Sequence, residues 1–196
     1  MTEKAIFPLP IVLYPNGVTR LRIFEQRYIR MVKEASGDVG FVISLFDPQD
    51  PNKLSDIGSF VKIIDFDQLD DGTLGIDVKS EALVSIGAFY QEQDKLHKAQ
   101  VMEIDHWSKQ PFNQKIEDLA ARLESVFKEN PQAKELYQQP KMENANWVVA
   151  RWLEILPLNP GLKAMFYHPN SFDQAIDLLS TVVLAQKTPS ETQPSG

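Results

Sequence analysis

The sequence predicts an α+β protein: a highly curved or barrel-like β subdomain with one helix over residues 1–107, then a helical bundle over 115–187. Three observations carry this. Apolar residues recur at strand spacing up to Trp107 and at helical spacing after Gln114, and the polar, proline-bearing linker "SKQPFNQ" (108–114) separates the two regimes. The last residues, 188–196, have the composition of a disordered tail.

The first strand candidate, "IFPLPIVLYPNG" (6–17), combines β-formers with prolines. Pro8 and Pro10 delete donors that face one side, while Phe7, Leu9 and Ile11 keep theirs. This predicts a strand paired mainly along one edge and ending in a turn at 14–17, where Pro15 presets φ and Asn16 and Gly17 accept unusual angles. "VTRLRIF" follows as a short strand with Leu21 and Ile23 on one face and Arg20 and Arg22 on the other. Phe24, Tyr28, Met31, Val32 and Ala35 then fall at helical spacing, predicting a helix that stops at Gly37.

"GFVISLF" (40–46) reads as a buried strand and "DPQDPNKLSD" (47–56) as an exposed loop. Strands are expected at 59–69 and 73–80, joined by the turn Asp70-Asp71-Gly72, and again at 82–93 and 98–107. In the second half, Ile116, Leu119, Ala120, Leu123, Val126 and Phe127 form one helical stripe, closed by Asn130-Pro131. "NANWVVARWLEIL" (144–156) is apolar around most of its circumference, so it belongs at the centre of the bundle, with Arg151 and Glu154 among its few charges. Pro157 and Pro160 break it, and Ser171 with Gln174 reads as a capping box opening the last helix, 172 to about 186.

A formal charge of −7 and a pI near 5.0 argue against nucleic acid as the main partner, since neutralising phosphates needs clustered Lys and Arg. No cysteine is present, which excludes disulfides and thiol chemistry and fits a reducing compartment, with the cytoplasm as the default. No apolar run is long enough to span a membrane or to act as a signal peptide.

Candidate chemistry is sparse. His97, His106 and His168 lack metal-ligand spacing and read as surface or boundary residues, so neither a metal nor a cofactor is expected. Four arginines, Arg20, Arg22, Arg27 and Arg30, lie within eleven residues; Glu25 and Glu34 are at hand to pair with them as scaffold. Trp147 and Trp152 are about 140° apart on a helix. Trp152 shares a stripe with Val148 and Ile155 and reads as core, while Trp147 is the aromatic candidate for recognition. Arg20, Arg22 and Trp147 are the candidate binding residues. The carboxylates in "DFDQLDD" (65–71) read as turn chemistry and solubility.

Several stretches together resemble the Lon protease N-terminal domain, or LON substrate-binding domain. They are Phe7-Pro8-Leu9-Pro10, Leu13-Tyr14-Pro15-Asn16-Gly17, Leu21-Arg22-Ile23-Phe24-Glu25-Gln26-Arg27-Tyr28, Gly58-Ser59, the hairpin 63–72 with Asp71 and Gly72, and "WLEILPL" (152–158) with Leu156 and Pro157. Gln26 stands where the family pattern has proline. The resemblance spans about residues 5–185 and implies a PUA-like barrel for the first part. It further implies a non-catalytic binder of unfolded or partly folded polypeptides, perceived as a stand-alone recognition or adaptor unit that could serve an ATP-dependent protease. No G-x-x-x-x-G-K-[ST] loop occurs, and Ser108-Lys109, being adjacent, cannot act as a Ser-Lys dyad. An RNA-binding PUA-like module and an ATP-independent hydrolase are the alternatives; the acidic balance weighs against the first and the lack of a nucleophile with a base against the second. Oligomeric state is left open.

Overall fold

A computed structural model describes residues 1–47 and 50–185, with the backbone alone for 47 and 50–53. The chain forms strands β1 (Thr2–Pro8) and β2 (Val18–Ile23), helix α1 (Gln26–Glu34), and strands β3 (Phe41–Asp47), β4 (Asp50–Gln68), β5 (Leu74–Gln91) and β6 (His97–Ile104). Sheet order is β2-β5-β4-β3-β1-β6, and β6 pairs back onto β5. Strands β5, β4, β3, β1 and β6 therefore close into a barrel, with β2 added outside on β5.

β1 is not the one-edged strand expected. Thr2 to Ile6 pair antiparallel with β6, and Ile6 to Pro8 pair parallel with β3, so it is a central stave. The proline is tolerated because Pro8 lies past the last β6 pair and ends the strand. The parity survives in one respect: Leu9 N–H donates to Ser44 O at 3.0 Å, on the side where donors remain. Burial on both faces follows, since Ile6 (0% exposed) and Phe7 (6%) point opposite ways.

Two long strands replace shorter expected pieces. The stretch 47–56 is not an exposed loop, because β4 begins at Asp50 and pairs with β3 through Leu54 and Gly58; Pro48 and Gln49 lie outside the described residues. Likewise 73–80 and 82–93 form one bent strand, β5, whose first half pairs with β2 and the end of β4 and whose second half pairs with β6. Register shifts at Phe60/Val61, Ile63/Asp65 and Ile86/Phe89 absorb the curvature that closure demands.

The helical half comprises α2 (Gln114–Glu129), α3 (Pro131–Leu136), α4 (Ala145–Ile155), α5 (Pro160–Ala164), a 3-10 turn (Met165–Tyr167), α6 (Phe172–Leu179) and a π-helical turn (Ser180–Leu184). Helices α2, α3, α4 and α5 are each capped by an asparagine side chain, those of Asn113, Asn130, Asn144 and Asn159. The short α3 escapes sequence reading because Asn130-Pro131, taken as a terminator, also starts a helix. The capping box at Ser171 is not made: its Oγ donates toward Phe166 O and His168 O and accepts from Trp107 Nε1 at 3.0 Å.

α4 lies centrally, packed on α2 and α6, with Trp152 Nε1 donating to Leu119 O at 2.9 Å. Two residues placed on apolar stripes turn out exposed, Phe24 at 66% and Ile155 at 42%. The tail 188–196 lies outside the described residues.

Candidate functional site

The opening loop binds the two halves together residue by residue. Val12 and Tyr14 belong to the apolar cluster of the helices, whereas Leu13 between them belongs to the cluster built on the sheet and α1. Alternation along an extended segment produces this, because consecutive side chains point to opposite sides. The loop's backbone is equally committed. Leu13 N–H donates to Tyr167 Oη at 3.2 Å, Leu13 O accepts from Ser59 Oγ, and Tyr14 Oη donates to Lys163 O at 2.6 Å.

Beneath this loop sits a buried ion pair that sequence reading did not find. Arg151 is 0% exposed; its Nε and Nη2 donate to Glu154 at 2.7 Å each, and Nη2 also reaches Tyr14 O and Pro15 O at 3.4 Å. Tyr14 N–H donates to Glu154 Oε1 at 2.7 Å. The guanidinium lies 5.7 Å from the Tyr137 ring centre and 5.5 Å from that of Trp147, so aromatic faces supply part of its solvation. Burial pushes the Glu154 carboxyl above its ordinary range, against the pull of Arg151 and the Tyr14 N–H. The spacing i, i+3 on a helix was the one available signal.

The turn 14–17 closes over this pair. Asn16 takes φ 64°, and Gly17 N–H donates to Tyr14 O at 2.9 Å. Gly17 is required by proximity: a Cβ there would stand 2.4 Å from Glu154 Oε1. The pair Asn16 N–H to Ser80 O and Ser80 N–H to Gly17 O, both at 2.8 Å, then locks the turn onto β5.

Beside the turn a groove of about 490 Å³ runs between the sheet and the helices. Asn16, Arg20, Ile64, Asp65, Asp77 and Lys79 line it from the sheet side, and Glu135, Tyr137, Lys141 and Trp147 from the other. A second pocket of about 380 Å³, between residues 106–109 and the start of α4, shares Asn16, Lys141 and Trp147 with it. Through these shared residues the two adjoin as a depression with two ends at the junction. His106 and Trp107 line its smaller end and stack on the buried Tyr14, and His106 Nε2 pairs with Phe166 O at 3.0 Å. A carbonyl can only accept, so this nitrogen carries the proton. Burial lowers the His106 pKa to about 4.

Of the three candidate binding residues, Arg20 and Trp147 meet on this groove and Arg22 does not. Arg20 is held by Asp77 at 2.7 Å and Glu135 at 3.0 Å, and Arg22 pairs with Asp71. Trp147 is 5% exposed and wedged against Phe127 and Tyr137, so it is groove floor and not a protruding anchor. The scaffold reading of the arginine cluster holds for Arg27, which pairs with Glu25 at 2.7 Å, and for Arg30, which pairs with Glu34, Glu92 and Asp94. Phe7 and Tyr28 pack with ring centres 4.2 Å apart. Gly58 lets the Ile43 carbonyl approach, and Gly72 takes φ 80° in the hairpin turn, where Asp71 accepts from Thr73. Leu156 caps the end of α4 before Pro157. His97 is buried where a surface or boundary position was expected, with Phe89 and Gln91 against it; His106 is partly buried and His168 exposed. Among the described residues no group of three His, Cys, Asp or Glu could hold a metal ion.

One margin of the sheet is open. β4 pairs with β3 only as far as Val61, so residues 62–68 have β5 on one side and, among the described residues, no strand on the other. Leu69 N–H pairs with Thr73 O, and alternation then aims the N–H groups of Phe66 and Gln68 outward. Both are already satisfied: Asp65 Oδ1 accepts from Phe66 N at 2.9 Å and Asp67 Oδ1 from Gln68 N at 2.7 Å. The acidic residues read as turn chemistry thus divide their work, with only Asp71 serving the turn.

The profile of the ATP-dependent protease La (LON) substrate-binding domain family matches residues 3–164. The chain belongs to that family. Among solved structures, a Lon N-terminal domain protein from Xanthomonas campestris superposes with a TM-score of 0.71 at 24% identity, covering 93% of this chain and 99% of the other. The N-terminal domain of a Mycobacterium avium complex Lon protease does so with a TM-score of 0.59 at 13% identity, over 92% and 97%. Both likenesses are likenesses of fold. No curated protein matches the chain. The LON substrate-binding domain is a non-catalytic unit, and membership supports a polypeptide-binding role. No helix among the described residues is long and apolar enough to cross a membrane.

Proposed function

We propose that this protein recognises unfolded or partly folded polypeptides in the depression between sheet and helices and presents them to an ATP-dependent protease. The observation that carries the reading is the groove itself, set at the junction that the family's Leu13–Gly17 segment builds, and lined by an exposed Ile64 beside Tyr137, carboxamides and charges of both signs. An unfolded client offers apolar side chains and unpaired backbone, and such a lining meets both. Strand addition along β4 is the less favourable mode, because Asp65 and Asp67 already occupy the outward N–H groups there.

Titration of a fluorescently labelled, permanently unfolded protein such as casein into the full chain tests this. Micromolar affinity is expected, with Ile64→Glu weakening it several-fold while leaving the circular dichroism spectrum unchanged. No binding at micromolar concentration, or binding indifferent to Ile64, overturns it.

A further inference from the structure

The two ends of the depression differ in charge. In the larger groove the cations that it does not share with the smaller pocket face carboxylates: Arg20 is tied to Asp77 and Glu135, and Lys79 lies 3.6 Å from Glu81, whereas Lys141 lines both. The smaller pocket is lined by Trp107, Lys109, Lys141, Asn144 and Asn146 among others, with no carboxylate among the described residues of its lining. In a chain of net charge −7 that is a local inversion.

Its two ammonium groups are uncommitted. Among the described residues Lys109 and Lys141 enter none of the ion pairs, whereas Arg20, Arg22, Arg27, Arg30 and Arg151 are all paired. The pocket walls, by contrast, are fixed. Asn146 Nδ2 donates to Trp107 O at 3.1 Å and Ser108 O at 2.9 Å, its Oδ1 accepts from Gln110 N at 3.0 Å, and Trp107 Nε1 is held by Ser171. The start of α4 is already capped, with Asn144 Oδ1 accepting from Trp147 N at 2.9 Å, so an incoming anion would be held by side chains and not by the helix end. Asn144 Oδ1 is engaged in that cap, leaving the NH₂ of the same carboxamide as a donor at the pocket rim.

We propose that this pocket is a carboxylate subsite: it takes an anionic group of the bound polypeptide, either its C-terminal carboxylate or an Asp or Glu side chain, between Lys109 and Lys141. This rests on the polypeptide-binding reading above and adds to it a preference among clients. Fixed walls with mobile cationic arms favour a small planar anion, and the acidic remainder of the surface makes this the place where such a group gains most by binding.

The test uses one unstructured, largely apolar peptide in three forms: an uncharged form with an amidated C-terminus and internal Gln, the same sequence with a free C-terminal acid, and the amidated sequence with internal Glu. Binding to the full chain is measured at low ionic strength, where such contacts are least screened. At least one carboxylate form is expected to bind roughly fivefold more tightly than the uncharged form, and the form that does identifies the source of the carboxylate. The gain is expected to vanish in the Lys109→Gln/Lys141→Gln double variant, which changes only exposed side chains, while the uncharged peptide binds that variant as before. Equal affinity of all three forms, or a gain that survives the double variant, overturns the subsite and leaves the groove intact. Failure of all three forms to bind overturns the groove reading, and the subsite with it.

Discussion

Arg30 and Arg151 are both surrounded by carboxylates and oxygens, yet they hold different things together. Arg30 reaches Glu34, Glu92 and Asp94 at 2.5 to 2.8 Å, with its side chain 35% exposed. Arg151 has the single carboxylate of Glu154 and is wholly enclosed. Counting partners would rank Arg30 higher. Burial reverses the order, because water competes for the first set of contacts and cannot replace the second.

The sharpest break of this comparison is Glu154→Ala. It strands a buried guanidinium and frees the Tyr14 N–H, and is expected to lower unfolding free energy by about 3–5 kcal/mol in urea denaturation. Replacing the pair together by Arg151→Met and Glu154→Leu should recover much of that loss, since no unpaired charge remains; an equal loss in the double variant would show the contacts to Tyr14 and Pro15 matter more than charge burial. Gly17→Ala is expected to cost roughly 1–3 kcal/mol, by driving a methyl into Glu154 Oε1.

A smaller effect should appear with pH. His106 titrates near 4 when folded against an ordinary 6.5, so as pH falls below about 6.5 the unfolded chain takes up the proton first. Its contribution is therefore present above 6.5 and lost toward 4, an effect of roughly 1–2 kcal/mol once its partial exposure is discounted. In His106→Gln, which keeps a donor for Phe166 O, stability should depend less steeply on pH across that window. Smallest of all, Arg30→Ala should barely move the denaturation midpoint, and less still at higher salt.

The legible and illegible parts of the fold separate along a physical line. Periodicity gave the strands-then-helices order and the stripe Ile116, Leu119, Leu123 and Phe127, because burial leaves its mark on every turn of a helix, while the barrel was implied by the family resemblance. Strand continuity was harder. Nothing local in "KSEALV" says whether Ser80 turns or continues; that depends on β2 and β6 lying alongside different parts of β5. β1 misled for the same reason, since two prolines cannot reveal where the neighbouring strand stops. At the site, Arg20 and Trp147 were visible as types, whereas Arg151 and Glu154 looked like the polar relief of an apolar helix. Their importance comes from a loop more than 130 positions away, beyond the reach of any window.

The paired aspartates on the open margin of β4 carry a consequence for the molecule's own fate. In the proposed role the protein would meet unfolded chains seeking a template, and a bare sheet edge beside the exposed Phe66 would nucleate cross-β growth. With Asp65 and Asp67 engaged by its own backbone, the edge beside that phenylalanine offers neither of these two N–H groups to a guest strand. Asp65→Ala/Asp67→Ala should convert a quiescent rim into one that thioflavin T detects on prolonged incubation, with the barrel itself unchanged.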